Sequence, residues 1–138
     1  MAFLRTRTGA ALIGGVIAVA VVAGVTFDAV ESRKDLRMHA AAATDGDPAR
    51  GEAMFIQYGC GGCHALKHVR KAVGAVGPPL DGIAARAMIA GKLDNTPSNL
   101  QAWIRDPQHI SPGTAMPDLR VGERDARDIN AFLYTRGE

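Results

Sequence analysis

The apolar residues of this 138-residue chain change their pattern twice. From Thr8 to Phe27 no residue carries a charge, and Val, Ala, Ile, Leu and Gly dominate. At about 1.5 Å of rise per residue, a helix of that length crosses a hydrocarbon layer roughly 30 Å thick. The alternative is a cleaved signal peptide, with Ala18-Val19-Ala20 or Val22-Ala23-Gly24 as the cleavage site. Both sites fall inside the apolar run, and the run exceeds the usual length of about 7–15 residues, so an uncleaved anchor over 1–27 is expected. Residues 28–45 mix charge with the run Ala40 to Ala43, which makes them a linker, either a helical extension or a flexible tether.

Beyond residue 46 the spacing becomes that of short amphipathic helices. Asp47-Pro48 reads as an N-cap with proline at the first helical position, on a helix that carries Phe55 inward and stops at Gly59. Ile83 to Ala90 reads as a short helix ended by Gly91, with Met88 as core filler. Thr96-Pro97 starts another helix, whose Leu100, Trp103 and Ile104 recur at i, i+3, i+4 before Pro107 ends it. Ala126, Ile129, Phe132 and Leu133 form the stripe of a final helix, Glu123 to Tyr134, behind a weak cap at Gly122. No segment alternates with period two over a useful length, so an all-α domain of four to five short helices over 46–138 is expected.

Composition adds one constraint. Aromatic residues make up 5% of the chain and glycines number 16, so side chains alone assemble a large apolar core with difficulty, and a buried cofactor would supply the missing volume. The 16 Lys and Arg against 14 Asp and Glu are spread out, which does not point to nucleic acid.

The chemistry concentrates in Cys60-Gly61-Gly62-Cys63-His64. Cys-x-x-Cys-His is the attachment signature of c-type haem: two thiols add to the porphyrin vinyl groups and the histidine ligates iron. A redox-active dithiol needs a preceding strand, which is not evident before Tyr58-Gly59, and a zinc site from Cys60, Cys63, His64 and His68 lacks the usual separation between ligand pairs. An iron-ligating histidine needs its second ring nitrogen held by an acceptor, and a carbonyl in the rigid loop Gly74 to Gly82, such as that of Pro78, is a candidate. Met116, between Pro112 and Pro117 in a loop without helical periodicity, offers a soft thioether for the other axial position, with His68 and His109 as competitors. Trp103 is placed to pack on the ring. The basic stretch Lys67, His68, Arg70, Lys71 is either a solvated face or a docking edge beside the haem.

Taken in order, Gly51 and Phe55, Cys60-x-x-Cys63-His64, Gly77-Pro78, the run from Trp103 to Met116, and Ile129, Phe132 and Leu133 resemble a class I cytochrome c over about residues 46 to 138. Trp103 stands where mitochondrial relatives usually carry tyrosine. The resemblance implies a fold built around one covalently bound haem c, held through Cys60 and Cys63, with Pro78 bracing His64 and Met116 as the distal ligand. With the apolar N-terminus it is similar to membrane-anchored bacterial members. These carry single electrons from a cytochrome bc1 complex to a terminal oxidase, with the N-terminus cytoplasmic and the haem domain periplasmic. Such a protein is an electron carrier, not an enzyme, and takes no small-molecule substrate. The alternative is a permanent haem subunit of a larger membrane redox complex. A peroxidase-type haem enzyme would need an open iron position, which Met116 argues against. Lys67, Lys71, Arg86, Lys92, Arg105 and Arg120 are the candidates for steering an acidic partner.

Overall fold

The computed structural model describes residues 3–136. The outermost ends of the expected segments 1–27 and 46–138 lie outside the described residues. The chain divides into two compact units, the first ending at Asp35 and the second beginning at Leu36.

Helix α1, Phe3–Thr44, contributes the whole of the described first unit. It is long and apolar enough to cross a membrane. Val16, Val19, Val22, Val25 and Phe27 are all exposed, which water would disfavour by roughly 25 cal/mol per Å² of apolar surface. The segment 28–44 is helical throughout.

In the second unit, Ala40 and Thr44 at the end of α1 are buried, and Thr44 Oγ1 donates to the Ala40 carbonyl at 2.7 Å. Helix α2, Pro48–Gln57, begins as its cap predicts: Asp47 Oδ1 accepts from the Ala49 and Arg50 amides at 2.8 and 3.2 Å. The chain leaves α2 at Tyr58 and turns at Gly59, whose φ of 72° lies in the left-handed region.

Helix α5, Glu123–Tyr134, packs directly on α2. Gly51 makes this possible, because a Cβ there would run into the Asp128 carbonyl and lie 2.8 Å from the Phe132 Cβ. With the backbones this close, Phe55 and Phe132 meet at 5.7 Å between ring centroids and 57° between planes, a tilted pair worth about 0.5–1.5 kcal/mol beyond its buried area. Arg50 reaches from α2 to both Asp125 and Asp128, and the buried Asp128 also accepts from the Asp47 amide at 2.8 Å. Helix α3, Pro97–Arg105, is capped by Thr96 and buries Leu100, Trp103 and Ile104. It is tied to α5 by Asn130, whose Nδ2 donates to the Pro97 carbonyl at 2.7 Å. The short α4, Pro107–Ile110, follows, capped by Asp106.

The helix expected over Ile83 to Ala90 does not form as such. Only Ile83–Ala85 makes a 3-10 turn, after which β3, Met88–Ile89, pairs antiparallel with β4, Leu93–Asp94. Asn95 explains the change: its Nδ2 donates to the Ile83 and Arg86 carbonyls at 2.6 and 2.8 Å, occupying acceptors that a continuing helix would use. Gly91 is a turn residue, with φ of 65° beside Ala90 at 50°, the pair of positive φ values that a tight hairpin turn requires. Met88, expected as core filler, is 44% exposed. A second small ladder joins β1, His64–Ala65, to β2, Val73–Ala75. With strands of only two or three residues, the domain remains all-α in character.

Candidate cofactor site

The site is built where the chain leaves α2. A 3-10 turn over Cys60–Gly62 sets the two cysteines three residues apart on a tight curve, and Ala72 backs it so closely that a Cβ on Gly61 would come within 2.8 Å of its Cα. His64 opens β1. Its ring is gripped by the proline loop: Nδ1 lies 2.8 Å from the Pro78 carbonyl. The carbonyl can only accept, so Nδ1 donates, and in the neutral ring that leaves Nε2 as the nitrogen with the lone pair. The loop is itself pinned to the strand, with the Gly77 amide donating to the Cys63 carbonyl and the Leu80 amide to the Ala65 carbonyl, both at 2.8 Å.

These groups open onto a cavity of about 290 Å³, near the lower end of the range for small-molecule sites. Cys60, Cys63, His64, Pro78, Trp103 and Met116 all line it. Most of the remaining lining is apolar, including Phe55, Leu100, Ile104, Ile129 and Leu133. His68 and His109 are exposed and lie outside this lining.

Both cysteines are half-buried, and no disulfide joins them. Burial, the largest influence, pushes the Cys60 thiol up to about 11, with the neighbouring Cys63 adding to the rise. A reactive dithiol needs the opposite shift. Among the described residues, no three His, Cys, Asp or Glu side chains gather into a group that could hold a metal ion, so the zinc alternative finds no support in the geometry. A covalently bound haem fits these residues: paired thiols, an imidazole, a thioether and an apolar lining around one cavity.

A model of the cytochrome c family matches residues 48–136. The chain belongs to the cytochrome c family. As a cytochrome c domain it is an electron carrier and implies covalently bound haem c, with Cys60 and Cys63 in the Cys-x-x-Cys spacing. It is 39% identical over 85 residues to a cytochrome c oxidase subunit 2 of Alkalihalophilus pseudofirmus (strain OF4), covering 61% of this chain and 24% of that protein. Its identity to the subunit 2 of Bacillus sp. (strain PS3) is 39% over 75 residues, covering 53% of this chain and 21% of that protein. For the subunit 2 of Bacillus subtilis (strain 168) it is 26% over 106 residues, covering 75% and 30%. The chain thus spans between about a fifth and a third of the length of the curated relatives it matches. No solved structure matches it.

Three supports of this cytochrome c site have no motif of their own. Arg86 Nη2 donates to the Pro79 carbonyl and, at 3.0 Å, to the Asp81 carbonyl, which holds the far side of the proline loop. Asp81 Oδ1 accepts from the Lys67 amide at 3.0 Å and joins that loop to the basic segment. Gln108, on α4, contacts the backbone of the Met116 loop. Loops rich in proline and glycine leave backbone groups that side chains can satisfy, and that general need is the one signal the sequence carries for them.

Of the six steering candidates, Arg86 is thus taken up within the domain. Lys67, Lys71, Lys92, Arg105 and Arg120 are exposed.

Proposed function

We propose that this cytochrome c is a membrane-tethered carrier of single electrons in a bacterial respiratory chain. One haem c is attached through Cys60 and Cys63, with His64 and Met116 as axial ligands, Pro78 bracing His64, and Trp103 packed against the ring. The observation that carries the reading is the single cavity onto which both thiols, the Pro78-braced imidazole and the Met116 loop open. Bound haem supplies a one-electron ferric–ferrous change. With His64 and Met116 both holding the haem, no position would remain for oxygen or a substrate, and methionine as a ligand would raise the potential. The apolar lining would keep water from a bound haem, which favours fast transfer with little solvent rearrangement.

Residues 1–27 serve as the anchor, 28–45 as the helical link and 46–138 as the carrier domain. The domain faces the periplasm from the inner membrane, because c-type haem is attached outside the cytoplasm. Tethering holds it at high local concentration near membrane partners, a cytochrome bc1 complex as donor and a terminal oxidase as acceptor.

A second reading has its own support. The matched relatives are named as subunit 2 of cytochrome c oxidase, which favours a domain fixed in an oxidase as its electron-entry module. Purification in mild detergent at high salt separates the two, since fixed stoichiometry with oxidase subunits supports the fixed module and recovery alone supports the shuttle. The ligand assignment is tested by Met116→Ala in membranes. It should abolish the methionine-to-iron charge-transfer band at the red end of the ferric spectrum and lower the midpoint potential. An unchanged spectrum refutes methionine ligation.

A further inference from the structure

The loop that carries Met116 has almost no hydrogen bonding of its own. From Ser111 to Pro117 it contains two prolines, which lack a donor, and its internal backbone bonding among the described residues is the Thr114 amide to the Ser111 carbonyl at 3.0 Å. Gly113 adds a left-handed turn with φ of 81°. Half the loop is exposed to water, which competes for every free carbonyl. Left to itself such a segment opens readily.

One side chain closes it. Gln108 Nε2 donates to the Thr114 carbonyl at 2.8 Å and to the Met116 carbonyl at 2.7 Å, while its Oε1 accepts from the Gly113 amide at 3.2 Å. Both amide protons and one acceptor position are engaged, so the carboxamide replaces the missing backbone ladder at three points, one of them on Met116 itself. Gln108 is well placed for this. It sits on α4, which begins at Pro107 and is fixed by the Asp106 carboxylate accepting from the His109 amide at 2.9 Å. Pro107 is buried, and Ile110 packs against the core. The half-buried amide is partly shielded from solvent, which strengthens each bond it makes.

We propose that Gln108 is a positioning residue that sets how often the Met116 loop opens, and therefore how firmly the thioether is held in the cofactor cavity. The inference rests on Met116 being the axial ligand. The two donated bonds are worth about fivefold each in the closing equilibrium, so their loss raises the open population roughly 30-fold. An outside ligand that binds only the open form then gains apparent affinity by the same factor.

The test uses the full-length ferric holoprotein in detergent, with imidazole as the probe, titrated by the loss of the red charge-transfer band. Gln108→Met removes all three bonds at similar volume. Gln108→Glu retains the acceptor for Gly113 but sets a carboxylate against two carbonyls, and it gives a second reading should the methionine variant not accumulate. Both should bind imidazole roughly 30-fold more tightly than the parent. Asn130→Ala, which removes the bond to the Pro97 carbonyl in the α3–α5 packing, should lower the unfolding midpoint yet leave imidazole affinity within twofold. If both Gln108 variants bind imidazole as the parent does, or if Asn130→Ala shifts affinity equally, the proposal is overturned. A parent protein that shows no band refutes methionine ligation instead.

Discussion

Gly77 is the position where the smallest substitution should do the most at this site. A Cβ built there lies 2.6 Å from His64 Nδ1 and 2.8 Å from Nε2, and nearer still to Cε1. Ordinary contact begins at 3.4 Å. The ring must therefore withdraw by roughly 1.1 Å at its nearest atom, enough to take the 2.8 Å bond to the Pro78 carbonyl beyond hydrogen-bonding distance. The loop yields poorly, because the Gly77 amide is tied to the Cys63 carbonyl at 2.8 Å and Arg86 holds Pro79 and Asp81 from the other side. Overpacking of this kind costs about 1–3 kcal/mol, and the lost hydrogen bond about 1 kcal/mol. For a domain of about 100 residues the sum lowers Tm by about 10–30 °C. The electronic effect has a definite sign. A carbonyl accepting from Nδ1–H makes the imidazole a stronger donor and favours ferric iron, so Gly77→Ala should raise the midpoint potential. Thermal unfolding and a redox-titrated visible spectrum of the purified holoprotein read both effects, with Gly62→Ala as control because a Cβ there meets nothing within 4 Å. A Gly77→Ala protein with the Tm and potential of the Gly62→Ala control would refute the steric argument.

Two further outcomes follow from the packing and the surface. Tyr58 Oη donates to Asp125 Oδ2 at 2.8 Å. That bond foremost, with Arg50 adding to it against the effect of burial, holds the Asp125 carboxyl below the usual carboxylate range. A depressed folded value means the contribution is fully present above about pH 4 and disappears as pH falls through the folded pKa. The same bond pushes the Tyr58 phenol above its ordinary value of 10, so its contribution is present below about pH 10 and fades as pH rises through the folded value. Tyr58→Phe should therefore flatten both limbs of the Tm-against-pH profile, and an acid limb as steep as the parent's would count against this network. On the surface, Lys67→Glu with Lys71→Glu should slow electron transfer to an acidic membrane partner several-fold at low salt. The difference should vanish near 1 M salt, where the Debye length is about 3 Å, and a salt-independent difference would rule out electrostatic docking by this segment.

Which features can be read from the chain depends on how far away their physical cause lies. Asp47-Pro48 and Thr96-Pro97 start helices where expected because a cap and its target amides lie within one turn. The stripe Ala126, Ile129, Phe132 and Leu133 is legible for the same reason. Asp128 and Asn130 are not, because what permits their burial is an amide 81 residues away and a carbonyl 33 residues away. The hairpin over Met88 to Asp94 was hidden in the same manner: the alanine-rich start at Ile83 favours helix locally, and the side chain of Asn95 overrides it from 12 residues downstream.

The cofactor site divides along the same line. Cys60, Cys63, His64 and Met116 stand out because iron and thioether chemistry admit few residue types. Arg86 and Gln108 do not, because each only has to bring donors to carbonyls, a task that any side chain of suitable reach performs. On the proposed ligation, the residues that would meet the iron are constrained by chemistry, and those that would hold them by distance alone. Tuning of a carrier so ligated would therefore be most accessible at positions like Gln108, where a substitution would alter how firmly a ligand is held without removing it.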